Sequence, residues 1–239
     1  MSKQIRGRIL YTSRKPDRLG QERGREWFSV VTDANGWRTL QAQCEIDDAP
    51  PVLRHVTQTV DERWRPQEAY VRVAVDGRAA GSSWFRFSDA QAECEGFTAG
   101  EGRIGQVLAL PQPPTGFISH PIQGDAWLCA AYPLAAGPGR LGMRHLASSL
   151  DHRGATGPML CRDFTDWTYV GAETIEVAAG RFEALHFSLG GEGNWGPDDV
   201  AHHPAYHMWV TADGEYIFLR AFVEGYMMTH YELQELERR

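Results

Sequence analysis

Two short segments hold the residue types that proton chemistry needs. In His120-Pro121-Ile122-Gln123-Gly124-Asp125-Ala126-Trp127 an imidazole and a carboxyl group lie close in sequence. A carboxylate within reach of an imidazole orients it and raises its basicity, whereas an Asp alone in apolar surroundings is kept protonated and serves as an acid. His120 and Asp125 are therefore one candidate base and acid. The plainer reading is a loop His, driven to an extended backbone by the following Pro, beside an Asp in a turn marked by Gly124-Asp125.

The second segment, His202-His203-Pro204-Ala205-Tyr206-His207-Met208-Trp209, has three histidines within six residues. Imidazole is the commonest protein ligand for divalent metals. No HxH pair falls inside the strand and no HExxH occurs. A His-rich loop beside Asp198-Asp199, leading into a ligand-facing strand, is therefore preferred to a metal site. Alternation puts Tyr206 and Met208 on one face and His207 and Trp209 on the other. His207 with Glu173 or Asp61 is the second candidate pair.

His55, His186 and His230 stand isolated inside strand-like runs. A polar group facing the interior of a barrel needs a partner or a ligand, because leaving it unpaired costs roughly 1–3 kcal/mol. Each alone fits a satisfied structural histidine, and several on one cavity would make a site. Tyr206 with Trp84, Trp127, Trp167, Trp195 and Trp209 are the aromatics expected nearest a pocket, although most aromatics in a β-protein are core.

The elements that must position these residues are strands. Asn35-Gly36, Asp76-Gly77 and Asp213-Gly214 each lie between strand-like runs and supply the positive φ that tight hairpins require. Val52–Val60 reads as a strand with Val52, Val56 and Val60 on one face and Leu53, His55, Thr57 and Thr59 on a wet or ligand-facing side. Thr174–Val177 pairs with Arg181–Leu189 across Ala178-Ala179-Gly180, and Tyr226–Leu236 is a last strand or short helix. Only Leu141–Leu150 has helical composition within the body of the chain. Residues 133–158 read as a Gly-rich loop or lid, and the Pro-rich stretch 111–117 as a seam. The expectation is an all-β chain with at most one or two short helices. Its single domain, residues 1–239, is a curved antiparallel sheet or open β-barrel, lipocalin-like or LolA-like, enclosing a ligand pocket.

At 239 residues, 42% hydrophobic and 23% charged, the chain can bury a large core. A net charge of -7 without Lys/Arg runs argues against nucleic acid as a partner. No stretch is apolar enough to span a membrane, and the first residues lack the apolar core of a signal peptide, so a cytoplasmic location is expected. Cys44, Cys94, Cys129 and Cys161 have no CxxC spacing and read as free core thiols, a four-thiolate metal site from distant strands being the alternative. There is no GxSxG elbow, no GxxxxGK[ST] loop and no strand-linked GxGxxG; no cofactor is expected.

Val170-Gly171-Ala172-Glu173-Thr174-Ile175, Ala179-Gly180-Arg181-Phe182, Met208-Trp209-Val210 and Tyr231-Glu232-Leu233 form a C-terminal pattern. Asp61, Trp64-Arg65-Pro66 and Asp76-Gly77 precede it in the N-terminal half. Together these pieces resemble the bacterial domain of unknown function 3108 family, whose members look like the curved antiparallel sheets of the lipoprotein carriers LolA and LolB. The resemblance covers most of the chain and implies that fold; it carries no catalytic residue. The expected function is binding of a small, largely apolar molecule. The alternative is a cofactor-free lyase, hydratase or isomerase acting on a terpenoid, steroid or aromatic by His/carboxylate acid–base chemistry. The sequence leaves open a homo-oligomer.

Overall fold

The fold is given by a computed structural model that describes residues 3–191 and 202–239. The N-terminal half contributes β1 (Lys3–Ser13), β2 (Glu22–Thr32), β3 (Arg38–Ile46) and β4 (Val52–Val60), followed by β5 (Pro66–Val75), β6 (Arg78–Phe87), β7 (Gln91–Thr98) and β8 (Gly102–Ala109). After it come β9 (Phe117–Ile118), a short helix α1 (Ile122–Ala126), β10 (Gly139–Ala147) and β11 (Cys161–Val177). The chain ends in β12 (Gly180–Leu189), β13 (Tyr206–Thr211), β14 (Phe218–Val223) and β15 (Thr229–Arg238).

All these strands belong to one sheet, in the order β8-β7-β6-β5-β4-β3-β2-β1-β15-β14-β13-β12-β11-β10-β9. Every neighbouring pair is antiparallel except β9 with β10, which is parallel. The hairpins fall at the expected turns, and Gly36, Gly77 and Gly214 all have positive φ. Among the described residues no helix is long and apolar enough to cross a membrane.

Some segments depart from the sequence reading. Leu141–Leu150, expected to be helical, lies mostly in β10, because the ladder to β11 on one side and the bridge to β9 on the other outweigh the helix preference of Leu and Met. Residues 133–158 are thus not a loop throughout. The strand seen at Thr174–Val177 begins at Cys161. Within Tyr226–Leu236 the chain is strand from Thr229 on, with β15 pairing β1 and β14.

Side chains tie the β8 end of the sheet to the segment that leads into β11. The Gln106 amide on β8 accepts from the Leu160 N–H at 2.8 Å and donates to the Leu160 carbonyl at 3.2 Å. Ser83 Oγ donates to the Pro158 carbonyl at 2.6 Å. The result is a barrel-like sheet with a latched seam rather than a closed ladder.

The connection from β8 to β10 passes through the interior. Ile122, Gln123, Ala126, Trp127, Leu128 and Cys129 are all buried. A helix this short has no side-chain cap of its own, and its first N–H groups need acceptors. Glu26, on β2 in register with inward-facing Phe28 and Val30, supplies them: its carboxylate accepts from Ile122 N–H at 2.7 Å and Gln123 N–H at 3.0 Å. Tyr11 Oη donates to it at 2.8 Å and Cys44 Sγ lies at 3.5 Å. Burial raises the Glu26 carboxyl, and the donations from Gln123, Ile122, Tyr11 and Cys44 limit the rise. From the other side, the Gln123 side chain accepts from Phe218 N–H on β14 at 3.0 Å and donates to the Tyr216 carbonyl at 3.2 Å.

Removing the Glu26 carboxylate would strand two buried N–H groups and a phenol, each costing about 1–3 kcal/mol. Glu26→Ala is therefore expected to lower the urea-unfolding free energy by about 3 kcal/mol or more, and Glu26→Gln, which keeps one acceptor oxygen, by less. Equal stability of all three proteins would refute this role for the residue. The free thiols are open to a separate check. Denatured, unreduced protein should titrate all of Cys44, Cys94, Cys129 and Cys161, while in the native protein Cys161, the only one of them not fully buried, should react first.

Candidate functional site

The site is built by strand positions whose parity is apolar but whose residues are not. On β4, Arg54 and Gln58 share the buried face of Val52, Val56 and Val60. Arg54 donates to the carbonyls of Arg153 at 2.6 Å, Gly154 at 2.9 Å and His120 at 3.4 Å. Gln58 donates to the Phe117 carbonyl at 3.3 Å and accepts from Ser119 Oγ. These two side chains fix both straps that border the cavity. Gly154 has φ +56, and a Cβ there would fall 2.4 Å from Arg54 Nη2 and 2.8 Å from the His120 ring. Only glycine lets this strap pass.

Two cavities, about 300 Å³ and about 500 Å³, lie within the sheet. Both are lined by His120, Asp125, His152, His203 and Tyr206. Their sizes suit small organic ligands.

Asp125 projects from α1. It lies deep in the protein while keeping part of its surface on the cavities. Its Oδ1 is buried with no hydrogen-bond partner among the described residues. Burial, then repulsion from Glu26, pushes this carboxyl up to about 8, with Arg54 acting in the opposite sense. The Tyr206 hydroxyl, also buried and without a partner among the described residues, is raised well above the ordinary tyrosine range by burial and then by Asp125.

The imidazoles shift the other way. Burial lowers His120 to about 3, with repulsion from Arg54 adding to it. Burial lowers His203 to about 4 against the pull of the Pro204 carbonyl. His203 Nδ1 lies 2.7 Å from that carbonyl, and His120 Nε2 lies 3.3 Å from the Ser149 carbonyl. A carbonyl only accepts, so each of these nitrogens carries the proton and the opposite ring nitrogen is left with a lone pair. His120 has φ 73 where Pro121 had suggested an extended backbone. Such strain is typically about 1–3 kcal/mol and gathers at functional sites; here Arg54 holds the His120 carbonyl.

The sequence candidates divide sharply. His120, Asp125, Tyr206 and Trp167 line the smaller cavity, and the first three line both. Asp125 is not in a turn, however, and His120 bonds to Ser149 rather than to Asp125. His207, Glu173, His186 and Trp209 lie on the outer face. There Trp209 Nε1 donates to Glu173 at 2.7 Å, His186 stacks on Trp209 at 4.0 Å, and the His186 and His207 rings meet at 3.1 Å. His207 thus reaches Glu173 only through His186 and faces away from the cavities. Asp61 does not approach His207: it closes the β4–β5 turn, accepting from Arg63 N–H at 2.9 Å, Arg65 N–H at 2.8 Å and Arg65 Nε at 3.0 Å.

His55 is exposed beside Gln43, so the face it shares with Leu53 is the wet side of β4. His230 pairs outward with Glu232 at 3.3 Å. Trp84 is 40% exposed on the outside. Trp127 is core, edge-on to Trp64 at 5.8 Å. The parity of each of these strands turns its polar ring to solvent because the opposite face holds the core. Trp195 lies outside the described residues, as do Asp198 and Asp199. His203 faces the cavity and His207 the exterior, so the three clustered histidines do not converge. Among the described residues no group of three His, Cys, Asp or Glu side chains is arranged to hold a metal ion.

Arg54, His152 and His203 were not among the chosen candidates. Arg54 carried a readable signal, a charged residue in the apolar parity of a strand. The two histidines lie on loops, where sequence gives no direction.

No known family profile matches the chain, and no curated protein matches it. Among solved structures it is similar to the β-barrel-like protein of domain of unknown function DUF1849 from Brucella abortus. That match has 12% identity and a TM-score of 0.59, covering 100% of this chain and 98% of that one. A DUF1089 family protein from Pseudomonas aeruginosa aligns with a TM-score of 0.44 at 14% identity, covering 81% of this chain and 87% of that one. The 3108 family is not shown, and what stands is coarser: the chain has a β-barrel-like fold similar to that of the DUF1849 protein.

Asp125 gives the site a pH signature. Its carboxyl is raised from 3.8 to about 8 on folding, so its favourable contribution is complete below about pH 4 and is lost as pH rises through about 8. Asp125→Asn should flatten the fall in melting temperature between pH 5 and pH 9. A fall as steep as in the wild type would show that Asp125 ionises normally. His120 and His203, both depressed, contribute in the opposite sense: their stability is present above about pH 6.5 and lost as pH falls through about 4 and about 3.

Proposed function

We propose that the chain binds a small, largely apolar molecule between its inner strands and transfers protons on it, as a lyase or isomerase whose acid and base are its own side chains. The observation that carries this reading is the convergence of Asp125, His120 and His203 on the same two cavities with opposed shifts. A pocket made only to hold an apolar ligand has no use for a buried carboxyl with an empty oxygen. Separated values of this kind mark acid and base assignments.

Asp125, protonated at neutral pH and close to its midpoint, is the proton donor. His203, neutral and fixed with its Nδ1 proton on the Pro204 carbonyl, presents Nε2 as acceptor; His120 presents Nδ1 in the same way. In the forward step a C–H proton of the ligand passes to an imidazole and the Asp125 proton passes to the atom where negative charge gathers. This leaves an imidazolium and a carboxylate. Their attraction offsets the weak basicity of the buried imidazole, and return of the proton through water resets the pair. The buried Tyr206 hydroxyl is placed to donate to the developing charge.

The test is isotopic. The compound that co-purifies with the protein should be extracted, identified, and incubated with fresh protein in D2O. Deuterium should enter a C–H position, with a rate that falls above about pH 8 as Asp125 ionises. Asp125→Asn and His203→Gln should slow the exchange by about a hundredfold or more while leaving ligand affinity within a few-fold. A ligand that binds but takes up no deuterium would favour a carrier.

A further inference from the structure

The larger cavity opens where four cationic side chains, Lys15, Arg18, Arg23 and Arg153, meet Asp48, the one acidic side chain of the rim among the described residues. Asp48 is already engaged by Arg18 at 3.0 Å and by Arg23, both as ion pairs. Arg153 is anchored on the backbone carbonyls of Asp48 and Pro50, each at 2.9 Å. Lys15 makes no ion pair among the described residues. The rim therefore carries a surplus of positive charge on a chain whose net charge is -7. Behind the rim the wall carries Tyr11, Ile46, Val223, Tyr226 and Tyr231, with Arg54 and the histidines described above deeper in beside Asp125.

We propose that the ligand of this cavity is an amphipathic organic acid, whose carboxylate sits at the Lys15/Arg18/Arg153 rim and whose apolar body runs inward past the tyrosines to Asp125. This rests on the cavity being the ligand site, as proposed above, and adds the chemical class of what it takes. A partly desolvated cationic rim favours an anionic end and disfavours a neutral one, so charge sets orientation as well as affinity. An acid anchored at the rim also keeps its own charge away from Asp125, which would otherwise be driven still further from ionising.

The experiment compares laurate with its neutral counterpart dodecanol by isothermal titration on the full chain at low and high salt. Laurate should bind more tightly than dodecanol and weaken as salt rises, while dodecanol should not respond to salt. Lys15→Gln and the double variant Lys15→Gln/Arg18→Gln should lose roughly three- to tenfold in laurate affinity with dodecanol unchanged. Equal binding of the two compounds, insensitive to salt and to these substitutions, would overturn the charge assignment and leave the cavity standing as the site. Absence of binding by either compound, to wild type as well as variants, would overturn both.

Discussion

A short helix inside a sheet has amide groups that water does not reach, and everything at the centre of this protein follows from how they are satisfied. Glu26 meets that need from β2, and Gln123 on the helix itself reaches across to the Phe218 N–H of β14, so the helix is tied between strands that are not neighbours in the sheet. Once α1 is held, Asp125 on the same helix has nowhere to point but into the cavities. The carboxylate that fixes the helix also repels Asp125 and helps keep it protonated. Structural clamp and chemical group are thus coupled through one buried field.

The hairpin turns and the course of Val52–Val60 were legible because they depend on local chemistry: positive φ at Gly and period-2 alternation. The candidate site was legible only in part. His120 and Asp125 stand out as residue types on a segment that no strand pattern claims. By contrast, His186, His207, Glu173 and Trp209 form an equally dense set of chemical groups and lie on the outside. Alternation had divided Tyr206 from His207 correctly, yet nothing in a strand's sequence says which face is inner until its neighbours are known. Arg54 and Gln58 show the complementary signal, polar residues in the register of valines, and β10 shows how pairing overrides composition.

Asp125 on one side and His120 and His203 on the other shift in opposite directions for the same reason. Low polarity penalises whichever form is charged, so the carboxyl keeps its proton and the imidazoles refuse theirs. At neutral pH the interior of the site is consequently uncharged at these groups, apart from Arg54, whose cation is spread over three backbone carbonyls.

The seam between β8 and the start of β11 has a mechanical consequence. Elsewhere, parting two strands breaks a whole ladder of backbone bonds; here it costs the paired contacts of one glutamine amide and a few neighbouring side-chain bonds. Asp163 and Thr165, just beyond that seam, belong to the wall of the smaller cavity. The girth of the interior is therefore held along one line by side chains, like a band fastened by a clasp, while the strands that carry Glu26 and Arg54 are held by backbone ladders on both sides.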